Sequence, residues 1–384
     1  MADPITQPFS RRRFAHLFGA GLAGAALAPL APGTPEAGAS PLLRLVRAAA
    51  ADAGGVVRLS SNENPHGPSP AALEAMRQAF GLAWRYPDEH MDALAGALAK
   101  LHGVDRGQIL LGNGSSEILR LAALAFAAPG RPVVAADPTF EAILHHAEAD
   151  GAGALKVPLA SGYRHDLPKM LAAAPDPGLL YVCNPNNPTG TVTPKDELQA
   201  FLGQVPAKTM VLVDEAYHHY AESADYASVI PLLGAHPNLV VARTFSKVYG
   251  MAGLRCGYAV ANAEAIERLQ KRASFDNVNI MALAAAQASL GDTAHVERGR
   301  RENREVKAMV YAGLEKLGLH PIPSDTNFFM VDLGRDVGPL IAAMKERRVE
   351  VGRRFAAMPN CMRVTVGTRA QMQSFLGAFR EVVA

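Results

Sequence analysis

The sequence has few of the residues that hold small or metal-bound domains together. Its 384 residues include three cysteines, Cys183, Cys256 and Cys361, whose positions show no metal-ligand spacing. The first two lie in apolar segments, where a thiol serves as a small hydrophobic side chain. The sequence therefore predicts neither a metal site nor a structural disulfide.

An excess of charge of one sign is also lacking. The chain has 38 Lys and Arg against 36 Asp and Glu, a formal net charge of +2, which gives no indication of a nucleic-acid-binding surface. The uncharged apolar segment at residues 17–30 is short and interrupted by glycine and proline. Because a membrane-spanning helix needs about 20 apolar residues, we expect no membrane span.

The same apolar segment does suggest a targeting signal. It follows the basic stretch SRRRF at residues 10–14 and precedes a stretch that contains proline and glycine and ends in Ala37-Gly38-Ala39. These three regions are typical of a secretory signal, and the adjacent arginines indicate the twin-arginine type. We predict a signal peptide over residues 1–39 and export to the periplasm. The alternative is a disordered or amphipathic N-terminal tail on a cytoplasmic protein.

Short apolar runs alternate with helical patterns through most of the chain. The runs occupy residues 109–111, 133–136, 179–183, 210–213, 239–242 and 256–260. Such alternation predicts an α/β fold with a mainly parallel sheet between two layers of helices. A charged helix over residues 294–317 should then lead to strands at 328–331, 349–351 and 363–366 and a closing helix at 369–382. We expect an N-terminal arm over residues 40–75, a large domain over 76–293 and a small domain over 294–384.

The stretch TFSKVYGMAGLRCGY, residues 244–258, combines an amine with anion-binding groups. Lys247 follows Ser246, and Arg255 lies eight residues further on. A lysine that forms a Schiff base has to be held near an aldehyde, while hydroxyl and guanidinium groups bind the phosphate of the same cofactor. This set suggests pyridoxal phosphate. Because most lysines are merely solvated surface charges, the residues around this stretch have to support that interpretation.

Two further segments supply the support. The apolar run at 210–213 ends in Asp214-Glu215-Ala216-Tyr217, and the next run leads directly to the lysine. Since parallel strands present ligand-binding groups at one edge of the sheet, Asp214 and Lys247 should meet there. Asp214 can then pair with a pyridine nitrogen. Gly114, Ser115 and Ser116 follow another strand and open a helix, where a phosphate fits, although the same pattern alone could be an ordinary helix cap.

Taken together, the motifs from residue 56 to residue 384 resemble the fold-type I aminotransferases of class I and II, and most closely the histidinol-phosphate aminotransferase branch. The motifs are LSSNENPHGPSP, RYP, GNGSSEIL, DPTF, NPNNPTG, DEAY, the lysine stretch and MRVTVGT. The resemblance implies the fold of pyridoxal-phosphate-dependent transferases and a homodimer. It also implies a catalytic role for Lys247, Asp214 and Tyr217.

The resemblance extends to individual binding residues. It implies that Asn187 and Tyr217 hydrogen-bond the phenolic oxygen of the cofactor ring and that Phe140 stacks on the ring. Tyr86 would reach the cofactor phosphate of the neighbouring subunit. Arg363 would bind the substrate carboxylate, Arg353 would meet a substrate phosphate, and Asn64 belongs to a motif near the site. The further cofactor residues implied are Gly114, Ser115, Ser116, Asp214, Ser246, Lys247 and Arg255.

The implied reaction moves an amino group between an amino acid, or histidinol phosphate, and a 2-oxo acid. Histidinol-phosphate relatives usually carry a tyrosine in the N-terminal arm, but this chain has no tyrosine before Tyr86. Arg44 and Arg47 lie in that arm and could substitute. Together with the export signal, this absence ranks an unphosphorylated aromatic or imidazole-bearing amino acid above histidinol phosphate.

Two other functions remain open on the same scaffold. One is decarboxylation, as in threonine-phosphate decarboxylase, which only needs a different Cα bond to stand perpendicular to the ring. The other is a non-catalytic regulator that binds the cofactor. Regulators of this fold carry a DNA-binding domain, for which we expect no room before residue 56. The presence of Lys247, Asp214 and Arg363 also disfavours a regulator.

Overall fold

The computed structural model describes residues 55–383 of the chain. The predicted signal peptide and the first part of the predicted N-terminal arm lie outside the described residues. Within residues 55–383, no helix has the length and apolar character needed to cross a membrane.

The described residues form eleven strands and eleven α-helices. The strands are β1 (Val57–Leu59), β2 (Ile109–Gly112), β3 (Val133–Asp137), β4 (Ala154–Pro158), β5 (Leu179–Cys183), β6 (Met210–Asp214), β7 (Leu239–Thr244), β8 (Gly257–Ala261), β9 (Phe328–Asp332), β10 (Val349–Val351) and β11 (Cys361–Thr365). The helices are α1 (Pro70–Ala79), α2 (Asp88–His102), α3 (Ser115–Phe126), α4 (Ala142–Ala149), α5 (Leu167–Ala172), α6 (Lys195–Gln204), α7 (Ala263–Gln270), α8 (Ile280–Leu290), α9 (Thr293–Glu315), α10 (Gly338–Glu346) and α11 (Arg369–Val383).

Seven strands form the central sheet, in the order β2-β8-β7-β6-β5-β3-β4. The pairs from β7 through β6, β5 and β3 to β4 are all parallel, whereas β8 runs antiparallel to both β2 and β7. The prediction of an α/β fold with a mainly parallel sheet is therefore confirmed. The six predicted strands of this sheet are also confirmed, within one or two residues at their ends.

Strand β6 shows why these strands are apolar throughout. Val211 and Val213 pack into one hydrophobic cluster, whereas Met210 and Leu212 pack into another. Because successive side chains of a strand point to opposite faces, both faces of the sheet are covered and every position is apolar. The strand ends at Asp214, so the first polar side chain comes at the carboxyl edge of the sheet.

Strand β4 was not predicted. It pairs only with β3, at the end of the sheet, and most of its residues are exposed or half-buried. Its sequence includes Lys156 and Pro158, residues that protect edge strands against pairing with other chains. An edge strand of this kind lacks the apolar run by which the other strands were found.

The C-terminal region has its own hydrophobic cluster, built from α9, α11 and strands β9 to β11. The strands predicted at 328–331, 349–351 and 363–366 and the helices predicted at 294–317 and 369–382 are confirmed with small shifts. β1 pairs in parallel with β10, Val57 opposite Val349, and Leu59 lies in this cluster. This pairing brings residues 60–63 to the edge of the central sheet.

Candidate active site

A cavity of about 280 Å³ lies where β5, β6 and β7 end, beside the start of α3. This edge of a parallel sheet is where α/β proteins commonly bind ligands. The cavity wall brings together ten residues predicted from the sequence: Ser115, Ser116, Phe140, Asn187, Asp214, Tyr217, Ser246, Lys247, Arg255 and Arg363.

Asp214, the last residue of β6, is a buried carboxylate in the cavity wall. The Tyr181 hydroxyl donates to its Oδ2 at 3.0 Å, and the Ala216 N–H donates to its Oδ1 at 3.1 Å. Burial raises the pKa of Asp214 to about 6, although both hydrogen bonds and the nearby Lys247 favour the charged form. The carboxylate is therefore fixed in place. A protonated ring nitrogen would supply a positive charge that stabilises its ionised form.

The next residue, Glu215, has a different environment. It is buried in an ion pair with Arg243, with 2.7 Å between Oε2 and Nη2. The Ser228 hydroxyl and the Val229 N–H also donate to this carboxylate, each at 2.8 Å. Glu215 is thus fully paired and anchors the loop, so only the aspartate of the Asp-Glu pair serves the cavity.

Lys247 lies in the loop that follows β7. Its Nζ donates to the carbonyl oxygen of Asn62 at 3.1 Å and lies 5.3 Å from the centre of the Tyr217 ring. Burial, together with the charge of Arg363, lowers the pKa of Lys247 to about 8, against the opposing effect of Asp214. A larger share of the amine is therefore neutral near neutral pH than in a solvated lysine, as a nucleophile requires.

The start of α3 and Arg255 form a cradle for an anion. Gly114 has φ of 81°, and a Cβ at this position would come within 2.2 Å of Arg255 Nη2. Only glycine therefore lets the guanidinium approach the helix end so closely. Arg255 Nη1 donates to the Ala252 carbonyl at 2.9 Å and reaches the Ser246 hydroxyl at 3.5 Å. Hydroxyls, a guanidinium and the positive end of a twelve-residue helix suit a phosphate.

Arg363 connects the C-terminal region to the cavity. Its Nη1 donates to Asn187 Oδ1 at 2.7 Å, and its Nη2 donates to the Ser60 carbonyl at 2.6 Å. Its Nε is buried and has no hydrogen-bond partner within residues 55–383. The guanidinium is therefore fixed in orientation and keeps donors for an incoming carboxylate.

Asn62 is a site residue that sequence reasoning missed. Its carbonyl accepts from Lys247 Nζ and from Asn327 Nδ2, both at 3.1 Å. Its own Nδ2 donates to the Tyr217 hydroxyl at 3.1 Å, and its Oδ1 accepts from the Thr365 hydroxyl at 3.1 Å. Asn62 has φ of 55°, a conformation that asparagine tolerates better than most residues. An asparagine that tolerates positive φ, within the SSNENPHGP motif, is therefore the feature of the sequence that could have indicated this residue.

Four predicted residues are not on the cavity wall. Gly114 lies behind Arg255, and the Asn64 amide donates to the Val248 carbonyl at 2.8 Å. Arg353 is bound to Glu141, and Tyr86 is 81% exposed. The predicted roles of Asn64, Arg353 and Tyr86 remain predictions.

The cavity contains an amine of lowered pKa, a buried carboxylate and a phosphate cradle, which together fit pyridoxal phosphate. The family described as aminotransferase class I and II matches residues 54–379. The chain belongs to this family. It is a pyridoxal-phosphate-dependent transaminase of fold type I, as the sequence predicted.

The relatives include enzymes with a named substrate. The histidinol-phosphate aminotransferase of Moorella thermoacetica is 42% identical over 333 residues, 86% of this chain and 86% of the relative. Histidinol-phosphate aminotransferase 2 of Pseudomonas fluorescens is 42% identical over 361 residues, 93% of this chain and 95% of the relative. The histidinol-phosphate aminotransferase of Sinorhizobium meliloti, solved with pyridoxal-5'-phosphate, is 31% identical with a TM-score of 0.80, covering 85% of this chain and 90% of that one.

Neither the thiols nor a group of metal-ligating side chains gives a second centre in the part of the chain that the structure describes. Cys183, Cys256 and Cys361 are buried free thiols. Among residues 55–383, no three His, Cys, Asp or Glu side chains are grouped so that they could hold a metal ion.

Proposed function

We propose that this aminotransferase moves the amino group of histidinol phosphate to a 2-oxo acid. The observation that carries the proposal is a pair of guanidinium groups at one aromatic ring. The Cζ atoms of Arg353 and Arg363 lie 4.3 Å and 5.3 Å from the centre of the Phe355 ring. One cation suits the carboxylate of the oxo acid, and the other suits the phosphate of the donor. The name of the 42% identical relatives agrees with this assignment.

This proposal reverses the ranking made from the sequence, which placed an unphosphorylated amino acid first. That ranking depended on a missing tyrosine in the N-terminal arm and on the predicted export signal. Arg353 supplies a phosphate-binding group from the other end of the chain. The alternative cations considered in the arm, Arg44 and Arg47, lie outside the described residues.

We assign the cofactor-binding roles to residues of the cavity wall. Ser115, Ser116, Ser246 and Arg255 would hold the phosphate, with Gly114 admitting the guanidinium. Asp214 would hold the protonated ring nitrogen, Tyr217 and Asn187 would hydrogen-bond the phenolic oxygen, and Phe140 would pack on the ring. When bound, pyridoxal phosphate supplies an electron sink for the electron pair left at the substrate carbon.

The chemical step then depends on two residues of the chain. Lys247 Nζ removes the proton from the substrate Cα and later returns a proton, acting first as base and then as acid. Its lowered pKa suits both tasks near neutral pH. Arg363 orients the oxo-acid substrate through its carboxylate, because Asn187 and Ser60 fix the guanidinium.

We also propose that two copies of the chain form a dimer through an aromatic surface. Three aromatic side chains are largely exposed, Trp84 at 76%, Tyr86 at 81% and Phe275 at 96%. Phe275 lies near Asp88, which directly follows the loop that carries Trp84 and Tyr86. Exposed aromatic side chains on neighbouring segments favour an interaction surface. Sedimentation should give the mass of two chains, and Phe275→Asp should shift it towards one. A wild-type protein that sediments as a monomer would contradict the dimer.

Export remains a proposal from the sequence, since residues 1–39 lie outside the described residues. Cell fractionation should find the protein in the periplasm, and replacing Arg11 and Arg12 by lysine should retain it in the cytoplasm. Fractionation of both forms to the cytoplasm would refute export. A periplasmic location would separate this transamination from the synthesis of histidine in the cytoplasm. The assay of the purified protein would then decide between histidinol phosphate and the second candidate donor, an unphosphorylated aromatic or imidazole-bearing amino acid.

The function is tested with purified protein loaded with pyridoxal phosphate. The protein is mixed separately with histidinol phosphate, histidinol, histidine, phenylalanine and glutamate, and the visible absorption of the cofactor is followed. Histidinol phosphate should bleach the absorption, and adding 2-oxoglutarate should restore it and release glutamate. Bleaching by an unphosphorylated donor alone would refute the phosphorylated substrate. Release of carbon dioxide would instead indicate the rival decarboxylation.

A further inference from the structure

The ion pair between Arg353 and Glu141 joins two distant parts of the active-site rim. Arg353 follows β10 and belongs to the C-terminal region, and Glu141 follows Phe140, whose side chain lies on the cavity wall. Arg353 Nη2 donates to Glu141 Oε2. The guanidinium proposed for the substrate phosphate is thus already bound to a carboxylate of the chain itself.

Arg353 is held at this place by further contacts. Its guanidinium packs on the Phe355 ring, and its Nη1 donates to the Arg354 carbonyl at 3.3 Å. Arg363 contacts the same ring from the cavity. Phe355, 3% exposed, is therefore a fixed platform that keeps the two cations near each other without pairing either of them.

The neighbouring arginine provides a contrast within the same loop. Arg354 binds Asp336 through Nε and Nη2, with contacts of 2.9 Å and 2.6 Å to Oδ2. Both partners belong to the C-terminal region, so this pair spans no cleft. Of the two adjacent arginines, only Arg353 pairs across to the segment that carries a cavity-lining residue.

We propose that Glu141 is a specificity-determining residue, whose carboxylate occupies Arg353 as an internal competitor for the phosphate of the amino donor. This inference rests on the proposed function. The donor phosphate displaces Glu141 and takes its place on the guanidinium. Glu141 thereby weakens the binding of phosphorylated donors and leaves donors without a distal anion unaffected.

The exposure of the pair is consistent with such an exchange. The side chains of Arg353 and Glu141 are 54% and 31% exposed, and ion pairs with this access to solvent contribute little to stability. A phosphate offers more charge and more acceptor oxygens to a guanidinium than a carboxylate does. After the exchange, Glu141 remains near the phosphate, and the repulsion between the two anions opposes binding.

The test uses the holoenzyme with Glu141→Gln and compares histidinol phosphate with histidinol. The KM for histidinol phosphate should fall roughly three- to tenfold at low salt, with kcat little changed. The KM for histidinol should stay within about twofold, since no phosphate competes. Equal changes for both donors, or an unchanged KM for histidinol phosphate, would overturn the proposal. A merely structural role would alter kcat for both donors alike.

Asp336→Asn is the matched control, because it removes a carboxylate from the adjacent arginine. It should leave the ratio of the two KM values unchanged. An equal change of the ratio in Asp336→Asn would overturn the assignment to Glu141.

If the wild-type enzyme does not use histidinol phosphate, the proposed function fails, but the inference about Glu141 can still be tested. Inorganic phosphate then serves as a competitive inhibitor against whichever donor is active. Glu141→Gln should lower the inhibition constant of phosphate roughly three- to tenfold. An unchanged constant would overturn the role of Glu141 independently of the substrate.

Discussion

The active-site edge of the sheet and the C-terminal region each contain a half-buried lysine, and the two lysines share several properties. Burial lowers the pKa of Lys247 and that of Lys307 to about 8. Both ammonium groups donate to backbone carbonyls, Lys247 to Asn62 and Lys307 to Ser324 and Thr326. By these criteria either lysine could be taken for a reactive amine.

Their surroundings separate them. Lys247 lies on the cavity wall with Asp214 and Arg363, whereas Lys307 lies on α9 and is not among the residues of that wall. Through its hydrogen bonds, Lys307 connects α9 to the loop that precedes β9. A lowered lysine pKa therefore does not by itself mark a catalytic amine, and a cavity with complementary groups is the deciding feature.

The largest expected effect is a difference in kcat between variants of the two lysines. Lys247→Ala should reduce kcat roughly a thousandfold or more, because it removes the group that moves the Cα proton. Lys307→Met should keep kcat within a few-fold while lowering the melting temperature. Steady-state kinetics on both variants provide the measurement. Full turnover by Lys247→Ala would refute its role.

Borohydride reduction of the wild-type holoprotein sharpens the same contrast. Peptide mass mapping should find the cofactor attached to the peptide that contains Lys247, and the peptide with Lys307 should be unmodified. Attachment at Lys307 instead would show that burial, rather than the cavity, selects the amine.

A smaller effect is expected from the aspartate near each lysine. Asp214→Asn should lower kcat roughly a hundredfold or more, because it removes the fixed negative charge proposed to face the ring nitrogen. Asp325 lies near Lys307 and accepts from the backbone N–H groups of Glu222 and Ser223. Asp325→Asn keeps an acceptor there and should leave kcat nearly unchanged. Similar losses in both variants would point to a general effect on stability.

The sequence alone predicts that Asp214 and Lys247 meet at the carboxyl edge of the sheet. Asp214 and Lys247 each follow an apolar run, and the parallel pairing of β6 with β7 brings the two strand ends together. The resemblance to known aminotransferases then supplied the phosphate cradle and Arg363. These features depend on the local pattern of residues and on the order of strands along the chain, and both can be read from a sequence.

Other features depend on pairings between distant segments. Asn62 reaches Lys247 only because β1 pairs with β10, and Glu141 meets Arg353 across 212 positions of the chain. Neither contact can be predicted from the spacing of apolar residues in the sequence. The motif that contains the predicted residue Asn64 also contains Asn62, where the backbone turns, and Asn62 lies on the cavity wall.

The pH dependence offers a finer comparison of the two lysines. Each folded-state pKa, about 8, lies below the ordinary value of 10.5, so the unfolded chain binds more protons between these values. The free energy of unfolding of the apoprotein should therefore rise with pH from about 8 to 10.5, with a contribution from each lysine. Lys247→Ala and Lys307→Met should each reduce this rise.

Only Lys247 should also affect the capture of pyridoxal phosphate by the apoprotein. The rate should increase roughly tenfold per pH unit below the pKa, because the neutral amine is the nucleophile, and level off above about 8. Lys307→Met should show the same profile as the wild type. A profile that keeps rising to pH 10 would contradict the lowered pKa of Lys247.

The smallest expected effect concerns the backbone that holds Lys247. Asn62→Gly keeps the positive φ but loses the side-chain hydrogen bonds to Tyr217 and Thr365, which should cost about 1 to 3 kcal/mol of the free energy of unfolding. Asn62→Ala loses the same bonds and should cost about 1 kcal/mol more, since alanine resists this conformation. Denaturant unfolding measures the difference, and kcat should fall less than in Asp214→Asn, because the carbonyl that binds Lys247 remains in both variants. Equal stability of the two variants would show that the side chain of Asn62, and not its backbone conformation, sets its contribution at the sheet edge.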